Sequence, residues 1–135
     1  MPATYLSFAS VITEDIEELS GFYRAVFDLA EVDELRSDHF RGLRMGETIL
    51  GFSSTHAYEL LNLDPPQDVS GTTQFLTFEV DSDKLVDIMT EAAVAEGARC
   101  VKEPARTYYG AWQSVLADPA GNVFRINHLD LTPSS

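Results

Sequence analysis

The chain has 135 residues, 44% hydrophobic and 23% charged, a composition typical of a soluble domain with a packed core. Its 22 acidic residues against 9 Lys and Arg give a net charge of −13, which disfavours binding to nucleic-acid phosphates. No apolar run approaches the ~20 residues of a membrane-spanning helix, and no basic N-terminal region indicates a secretory signal. The single Cys100 excludes a disulfide within the chain. We therefore expect a cytoplasmic protein that binds neither nucleic acid nor membrane.

The first half of the chain predicts one strand, one helix and three further strands. Tyr5–Ile12 alternates as a strand does, and Thr13 can cap a helix whose apolar residues recur at helical spacing as far as Phe27. Polar and glycine-containing turns then separate three short apolar segments. These predicted strands lie near Ala30–Leu35, His39–Met45 and Thr48–Ser53.

The second half repeats this order after a segment rich in proline, asparagine and aspartate, at about residues 55–72, which predicts a linker. A strand is predicted over Thr73–Val80 and a helix over about Ser82–Glu96. Three more strands follow, near Arg99–Lys102, Trp112–Ala117 and Asn122–Asn127. The pattern predicts a single domain over residues 1–135, built from a βαβββ module at about 4–54 and a second at about 73–130.

Several motifs in this order resemble those of the vicinal oxygen chelate superfamily, which includes glyoxalase I, extradiol dioxygenases, fosfomycin-resistance enzymes and bleomycin-binding proteins. Phe22–Phe27 resembles its FYR-x-V-x-G-L helix end, and Asp118–Asn122 resembles its DP-x-G-N turn. Gly97 matches the glycine after its second helix, and Tyr109–Trp112 resembles the approach to its penultimate strand. The resemblance implies an α+β fold in which two tandem βαβββ modules form a cup-shaped mixed sheet with helices on the outside.

The resemblance also indicates where metal-using members hold their ion. Carried over by register, those positions fall on Phe8, Leu50, Phe75 and Arg125; Arg125 and Leu50 are each found by counting four residues on from a turn glycine, Gly121 and Gly46. None of these side chains offers the lone pairs that a divalent ion requires, and a slip of one residue supplies no histidine. We therefore expect no metal, no cofactor and no catalytic residue of the metal-dependent kind. The pair His56 and Glu59 could hold a surface ion only if that segment were helical, and such exposed pairs are usually just solvated.

The implied cup would present an aromatic, mostly apolar lining with a few polar groups, as small-molecule sites do. The candidate ligand-binding residues are Phe8, Leu50, Phe52, Phe75, Thr77, Glu79, Tyr108, Trp112 and Arg125. By alternation, Leu50 and Phe52 are expected to face inward with Phe8. Tyr108 and Trp112 lie in or near the loop that commonly rims the cup in this family, and Trp112 could stack on a planar ligand or on Arg125. Phe8, Leu50, Phe52 and Phe75 could equally fill the space themselves. Arg125 needs a counter-charge, either an internal acid such as Glu79 or Glu47, or a ligand carboxylate or enolate.

Among the family, the chain is most similar to the metal-free bleomycin-resistance-like proteins, which are small antibiotic-sequestering dimers. This similarity implies a homodimer that sequesters an aromatic or amphipathic compound, and the acidity of the chain would favour a cationic one. An alternative is a glyoxalase-like lyase, isomerase or dioxygenase with an atypical or absent metal site, using Glu79 as base and Arg125 as oxyanion partner. A third possibility is an interaction module with a filled cavity.

Overall fold

The computed structural model describes residues 4–67 and 70–130, which divide into two compact units, Met1–Ser70 (unit 1) and Gly71–Ser135 (unit 2). Unit 1 contains β1 (Phe8–Ile12), α1 (Ile16–Phe27), a 3-10 turn (Asp33–Leu35), β2 (Phe40–Met45), β3 (Thr48–Ser53) and α2 (His56–Leu60). Unit 2 contains β4 (Leu76–Glu79), α3 (Asp83–Ala95), β5 (Arg99–Arg106), β6 (Trp112–Ala117) and β7 (Val123–His128). The boundary falls inside the predicted linker, of which residues 68 and 69 lie outside the described residues. The prediction of a single domain stays a prediction.

The sheet of unit 1 has the strand order β1-β3-β2, with β1 parallel and β2 antiparallel to β3. Helix α1 packs on one face of this sheet and buries Leu19, Phe22, Tyr23 and Val26. Its cap is Asp15, whose side chain accepts a hydrogen bond from the Glu18 N–H at 2.9 Å, and not the predicted Thr13. The predicted helix is otherwise confirmed and ends at Phe27 as expected.

One predicted strand of unit 1 is replaced by a turn. Near Ala30–Leu35 the chain makes a single bridge, Glu31 with Leu43, and then enters the 3-10 turn Asp33–Leu35. The Leu35 N–H donates to the Val32 carbonyl at 3.0 Å, which closes the turn and prevents the strand from continuing. Consecutive acidic residues at 33 and 34 have low strand propensity, and this is the physical reason for the difference.

The sheet of unit 2 has the order β4-β7-β6-β5, parallel between β4 and β7 and antiparallel elsewhere. Helix α3 packs on one face and begins at Ser82, whose hydroxyl accepts from the Leu85 N–H at 3.1 Å. The βαβββ order predicted for this half is confirmed, although β5 extends further than expected, to Arg106.

Part of the predicted linker is helical, because α2 occupies His56–Leu60. Asn62, with φ of 58°, follows the end of this helix. The three-stranded and four-stranded sheets with their helices confirm the predicted α+β class of two tandem modules. Over the two described stretches, no helix is long and apolar enough to cross a membrane.

Candidate ligand-binding face

The strand register of unit 2 gives its sheet two chemically different faces. Phe78, Phe124, Ile126 and Leu116 are buried on the face covered by α3. Alternation places the intervening residues on the opposite face. Thr77 pairs with Arg125 there, Glu79 with Asn127, and Asn127 with Gln113 on β6. We call this polar surface, together with the adjoining Phe75 and Tyr109, the Arg125 face.

The guanidinium of Arg125 is held in place by three neighbours. Its Nε donates to the Thr77 hydroxyl at 2.9 Å, and its Cζ lies 4.7 Å from the centre of the Phe75 ring. Its Nη1 makes a longer contact, 3.5 Å, with the Tyr109 hydroxyl. A cation over an aromatic ring is attracted by the negative ring face, so Phe75 both packs against Arg125 and orients it. No described residue accepts a hydrogen bond from Nη2, so this group is available to a ligand.

Tyr109 is the second polar centre of this face. Its hydroxyl oxygen accepts from Gln113 Nε2 at 3.0 Å, and this hydrogen bond lowers the pKa of Tyr109, with the positive charge of Arg125 adding to the effect. Partial burial opposes these effects and raises the pKa. Gln113 Nε2 also donates to Asn127 Oδ1 at 2.9 Å, so the phenol is linked to the strand network. The ring is 43% exposed and therefore accessible to a ligand.

Glu79 does not form the internal ion pair with Arg125 that was one of the two expectations. Its Oε1 accepts from Asn127 Nδ2 at 2.8 Å, and its Oε2 accepts from the Leu129 N–H at 2.6 Å. Both carboxylate oxygens are therefore occupied. Within the described part of unit 2, Arg125 has no carboxylate partner.

The two predicted rim residues, Tyr108 and Trp112, have different environments. Trp112 pairs with His128 and belongs to the α3 side of the sheet, where its indole Nε1 donates to Asp87 at 2.8 Å. The Arg106 guanidinium lies 5.1 Å from its ring. The expectation that Trp112 could stack on Arg125 is wrong, because alternation along β6 points it away. Tyr108 is fully exposed, with its ring perpendicular to that of Tyr109.

Leu50 and Phe52 do not share a face with Phe8, and this expectation is also wrong. Phe8 pairs with Ile49 and Ser10 with Gly51, so Leu50 and Phe52 alternate to the α1 side. Both are buried there, at 2% and 0% exposure, and the Phe52 ring lies 5.5 Å from that of Tyr23. Their side chains are core.

The register also changes the counterpart of Arg125 in unit 1. Ser10 with Gly51 corresponds to Thr77 with Arg125, which makes Gly51 the equivalent position instead of Leu50. The error came from counting forward from a turn glycine. Met45 pairs with Thr48 across a tight turn, whereas Ala117 pairs with Val123 across the longer Asp118–Asn122 turn.

The residues at these positions do not fit a divalent ion. Benzyl side chains at Phe8 and Phe75, a glycine and a guanidinium supply no metal ligand. In the part of the chain that the structure describes, no three His, Cys, Asp or Glu side chains come together. His56 and Glu59 do share a helix, but the His56 ring stacks on His39 with 4.4 Å between ring centres.

The comparisons with known proteins agree with this fold. Residues 5–126 match the model of the Glyoxalase/Bleomycin resistance protein/Dioxygenase superfamily. The chain belongs to this superfamily. A search of curated proteins found no significant match.

Among solved structures, a glyoxalase/bleomycin resistance protein/dioxygenase family enzyme from Burkholderia phytofirmans is 42% identical, with a TM-score of 0.88 over 93% of this chain and 98% of that one. A glyoxalase-related enzyme from Fulvimarina pelagi is 19% identical, with a TM-score of 0.81 over 97% and 92%. A lactoylglutathione lyase from Agrobacterium tumefaciens is 20% identical, with a TM-score of 0.74 over 99% and 100%. The last two show the fold alone.

Sequence reasoning missed Tyr109 and Gln113 as members of this face. Alternation on β6 does place Gln113 opposite Asn127, but it cannot say which of the two faces α3 covers. Tyr109 precedes β6 in the turn around Gly110, a residue with φ of 91°, so no periodic signal applied to it. An adjacent Tyr-Gly pair before a strand was the available signal.

Proposed function

We propose that this superfamily member binds a small aromatic molecule without a metal, through a carboxylate or enolate oxygen held by Arg125. The observation that carries the proposal is the guanidinium itself, fixed by Thr77 and Phe75 and lacking an acidic partner among the described residues of unit 2. A guanidinium presents several N–H donors in a plane and matches a carboxylate well. Tyr109, 43% exposed, adds a second polar contact and aromatic surface beside it.

For this particular face, the proposal keeps the expected aromatic ligand but replaces the preference for a cationic compound with a preference for an anionic one. The net charge of −13 favours cations over the molecule as a whole. At the Arg125 face, however, the guanidinium of Arg125 supplies a positive charge. The carboxylate of Glu79 on the same face already accepts hydrogen bonds from Asn127 and Leu129. Binding without turnover, as in a sequestering protein, requires nothing more than these contacts. A cytoplasmic homodimer is part of the same proposal, and sedimentation or size-exclusion measurements at micromolar concentration test the dimer.

The test is titration calorimetry with 3-phenylpropionate and benzoate, with the corresponding neutral amides as isosteric controls. We expect the carboxylates to bind and the amides to bind at least tenfold more weakly, because a charge-assisted hydrogen bond contributes roughly 1.5–3 kcal/mol. Arg125→Gln should weaken carboxylate binding by about the same factor, and Arg125→Lys by less.

Arg44→Gln is the matched control for the loss of charge. Arg44 is exposed on β2, and its side chain makes no hydrogen bond or ion pair with the described residues, so carboxylate affinity should stay unchanged. Equal affinity for acids and amides would contradict the proposal, as would full affinity in Arg125→Gln.

The second candidate is a metal-independent lyase or isomerase, favoured by the lowered pKa of Tyr109 beside Arg125. A phenol that ionises more readily can exchange a proton with a substrate carbon or oxygen while the guanidinium stabilises developing negative charge. Glu79 is a weaker base candidate than expected, since both its oxygens accept hydrogen bonds. Incubation with lactoylglutathione, with and without added chelator, tests this candidate. Turnover that survives chelation and is abolished by Tyr109→Phe would favour the enzyme over the sequestering protein.

A further inference from the structure

Unit 1 contains a cavity of about 710 Å³ that the Arg125 face does not involve. It is open to solvent on one side and is bounded by the end of β1 with the residues before α1, by α2, and by the proline segment that follows. Its lining residues are Ile12, Thr13, Glu14, Thr55, Tyr58, Glu59, Leu63, Pro65 and Pro66. The volume lies within the ~300–1,000 Å³ of typical small-molecule sites. We call it the Glu14–Glu59 cavity.

Five of the lining residues are apolar or aromatic, and backbone constraints hold the part of the wall formed by Leu63, Pro65 and Pro66. Leu63 is 49% exposed, an unusual state for a leucine that lines a concave surface. Its N–H donates to the Tyr58 carbonyl at 2.8 Å, and Asn62, with φ of 58°, turns the chain back toward α2. Pro65 and Pro66 fix their own φ angles. A wall built in this way is pre-formed, which reduces the ordering cost of binding.

The charged groups on the lining are two carboxylates, Glu14 and Glu59. Neither makes an ion pair or a side-chain hydrogen bond with any described residue. Glu31 and Glu17 of the same unit differ, since each pairs with two arginines. No lysine or arginine lines the cavity. The two free carboxylates therefore give it a negative potential, which the net charge of the chain reinforces.

We propose that the Glu14–Glu59 cavity binds a small organic cation, a protonated amine attached to an aromatic or aliphatic body. The ammonium group would lie near the carboxylates of Glu14 and Glu59, and the apolar body against Leu63, Pro65 and Pro66. Tyr58 offers aromatic surface that suits both parts of such a molecule. An anion is repelled by the carboxylates, and a neutral analogue gains only the apolar contact.

The test uses 2-phenylethylamine as the probe, with 2-phenylethanol as its neutral analogue and phenylacetate as its anionic one. Calorimetry gives the affinities, and amide chemical shifts of labelled protein locate the site. We expect the amine to bind with shifts clustered at residues 12–14 and 55–66. Two partly exposed ion pairs correspond to an advantage of about tenfold over the alcohol.

The matched variants separate local from overall charge. Glu14→Gln with Glu59→Gln should weaken amine binding about tenfold, whereas Glu47→Gln with Glu96→Gln, which removes the same charge from exposed positions elsewhere, should leave it unchanged. Equal binding of amine and alcohol would overturn the proposal. Equal losses in the two double variants would also overturn it, since the effect would then be diffuse charge.

The proposal is independent of the function proposed above, because Arg125→Gln should leave amine binding intact while weakening carboxylate binding. Leu63→Arg provides a second readout, since a guanidinium at the wall would supply the cavity with its own cation and abolish amine binding. Undiminished amine binding in folded Leu63→Arg protein would exclude this cavity as the site.

Discussion

The two units share the order of three sheet strands, β1-β3-β2 and β4-β7-β6, but present opposite chemistry on the sheet face that their helices leave uncovered. In unit 2 this face is polar, with Arg125, Thr77, Glu79, Gln113 and Asn127 joined in one network. In unit 1 the equivalent face carries Phe8 and Phe40, with ring centres 6.2 Å apart. Gly51, the counterpart of Arg125, lies directly beneath the Phe40 ring. A repeated framework thus carries a polar network on this face of one half and aromatic packing on the same face of the other.

The helix-covered faces differ as well, in the opposite sense. Unit 1 packs α1 against β3 through aromatic contacts such as Tyr23 with Phe52. Unit 2 has a polar pair between its helix and its sheet, since the Thr90 hydroxyl on α3 lies 2.7 Å from the Ser114 hydroxyl on β6. The position of a polar group in one unit therefore does not predict a polar group at the equivalent position of the other unit. Each face has to be established from its own register and contacts.

The largest expected effect tests the assignment of Phe52 to the core. Phe52→Ala should lower the free energy of unfolding by about 3–5 kcal/mol, because it removes a fully buried ring and leaves a cavity. Phe8→Ala, on the uncovered face and 43% exposed, should cost at least about 2 kcal/mol less. Equilibrium unfolding in urea measures both. Equal losses would mean that the two phenylalanines share one environment after all.

The next effect concerns the counterpart position, Gly51. A Cβ there would lie 2.7 Å from one carbon of the Phe40 ring and 2.8 Å from the Ser10 hydroxyl oxygen. Gly51→Ala should therefore destabilise the protein by about 2 kcal/mol, and the loss should shrink in a Phe40→Leu background.

Gly21→Ala is the control for this prediction, because Gly21 lies within α1 and a Cβ there meets nothing within 4 Å. That change should stabilise by roughly 0.5–1 kcal/mol, since alanine favours the helix. Stabilisation by Gly51→Ala would show that the Phe40 ring is free to move, and that unit 1 leaves more room on this face than the structure gives it.

A smaller effect is expected in the polar pair of unit 2. Thr90→Val keeps the shape of the side chain but leaves the buried Ser114 hydroxyl without its partner, at a cost of about 1.5 kcal/mol. Adding Ser114→Ala should recover most of that loss, because no donor is then left unsatisfied. Thermal unfolding of Thr90→Val, Ser114→Ala and the double variant gives the coupling free energy between the two hydroxyls. Simple additivity would indicate that the hydroxyls do not interact.

Much of this fold could be predicted from the sequence because its signals are periodic and local. The helical spacing that ends at Phe27 located α1, and the Asp118–Asn122 motif located a turn. There the Asp118 carboxylate accepts from the N–H groups of Ala120 and Asn122, each at 2.9 Å. These contacts lie within a few residues of one another, so sequence order determines them.

The candidate site was predicted only in part, because its composition depends on contacts distant in sequence. Arg125, Thr77 and Phe75 were all among the candidate residues, and the structure brings the three side chains into contact. Leu50 was placed on the wrong face by counting through a turn of different length. Trp112 was placed near the rim, because alternation yields two sets of residues but does not say which set the helix covers.

The smallest expected effect is a pH dependence specific to unit 2. The hydrogen bond from Arg106 lowers the pKa of Asp83, and a second from His128 adds to it. Because the folded-state pKa lies below the unfolded one, the stabilisation is present above the unfolded value of about 3.9 and is lost as pH falls through the folded value. Wild-type protein should therefore lose stability more steeply than Asp83→Asn over this acidic range, as urea unfolding at several pH values would show. Parallel curves would mean that the Arg106 and His128 contacts do not persist in solution, and that α3 is held to its sheet by apolar packing as α1 is.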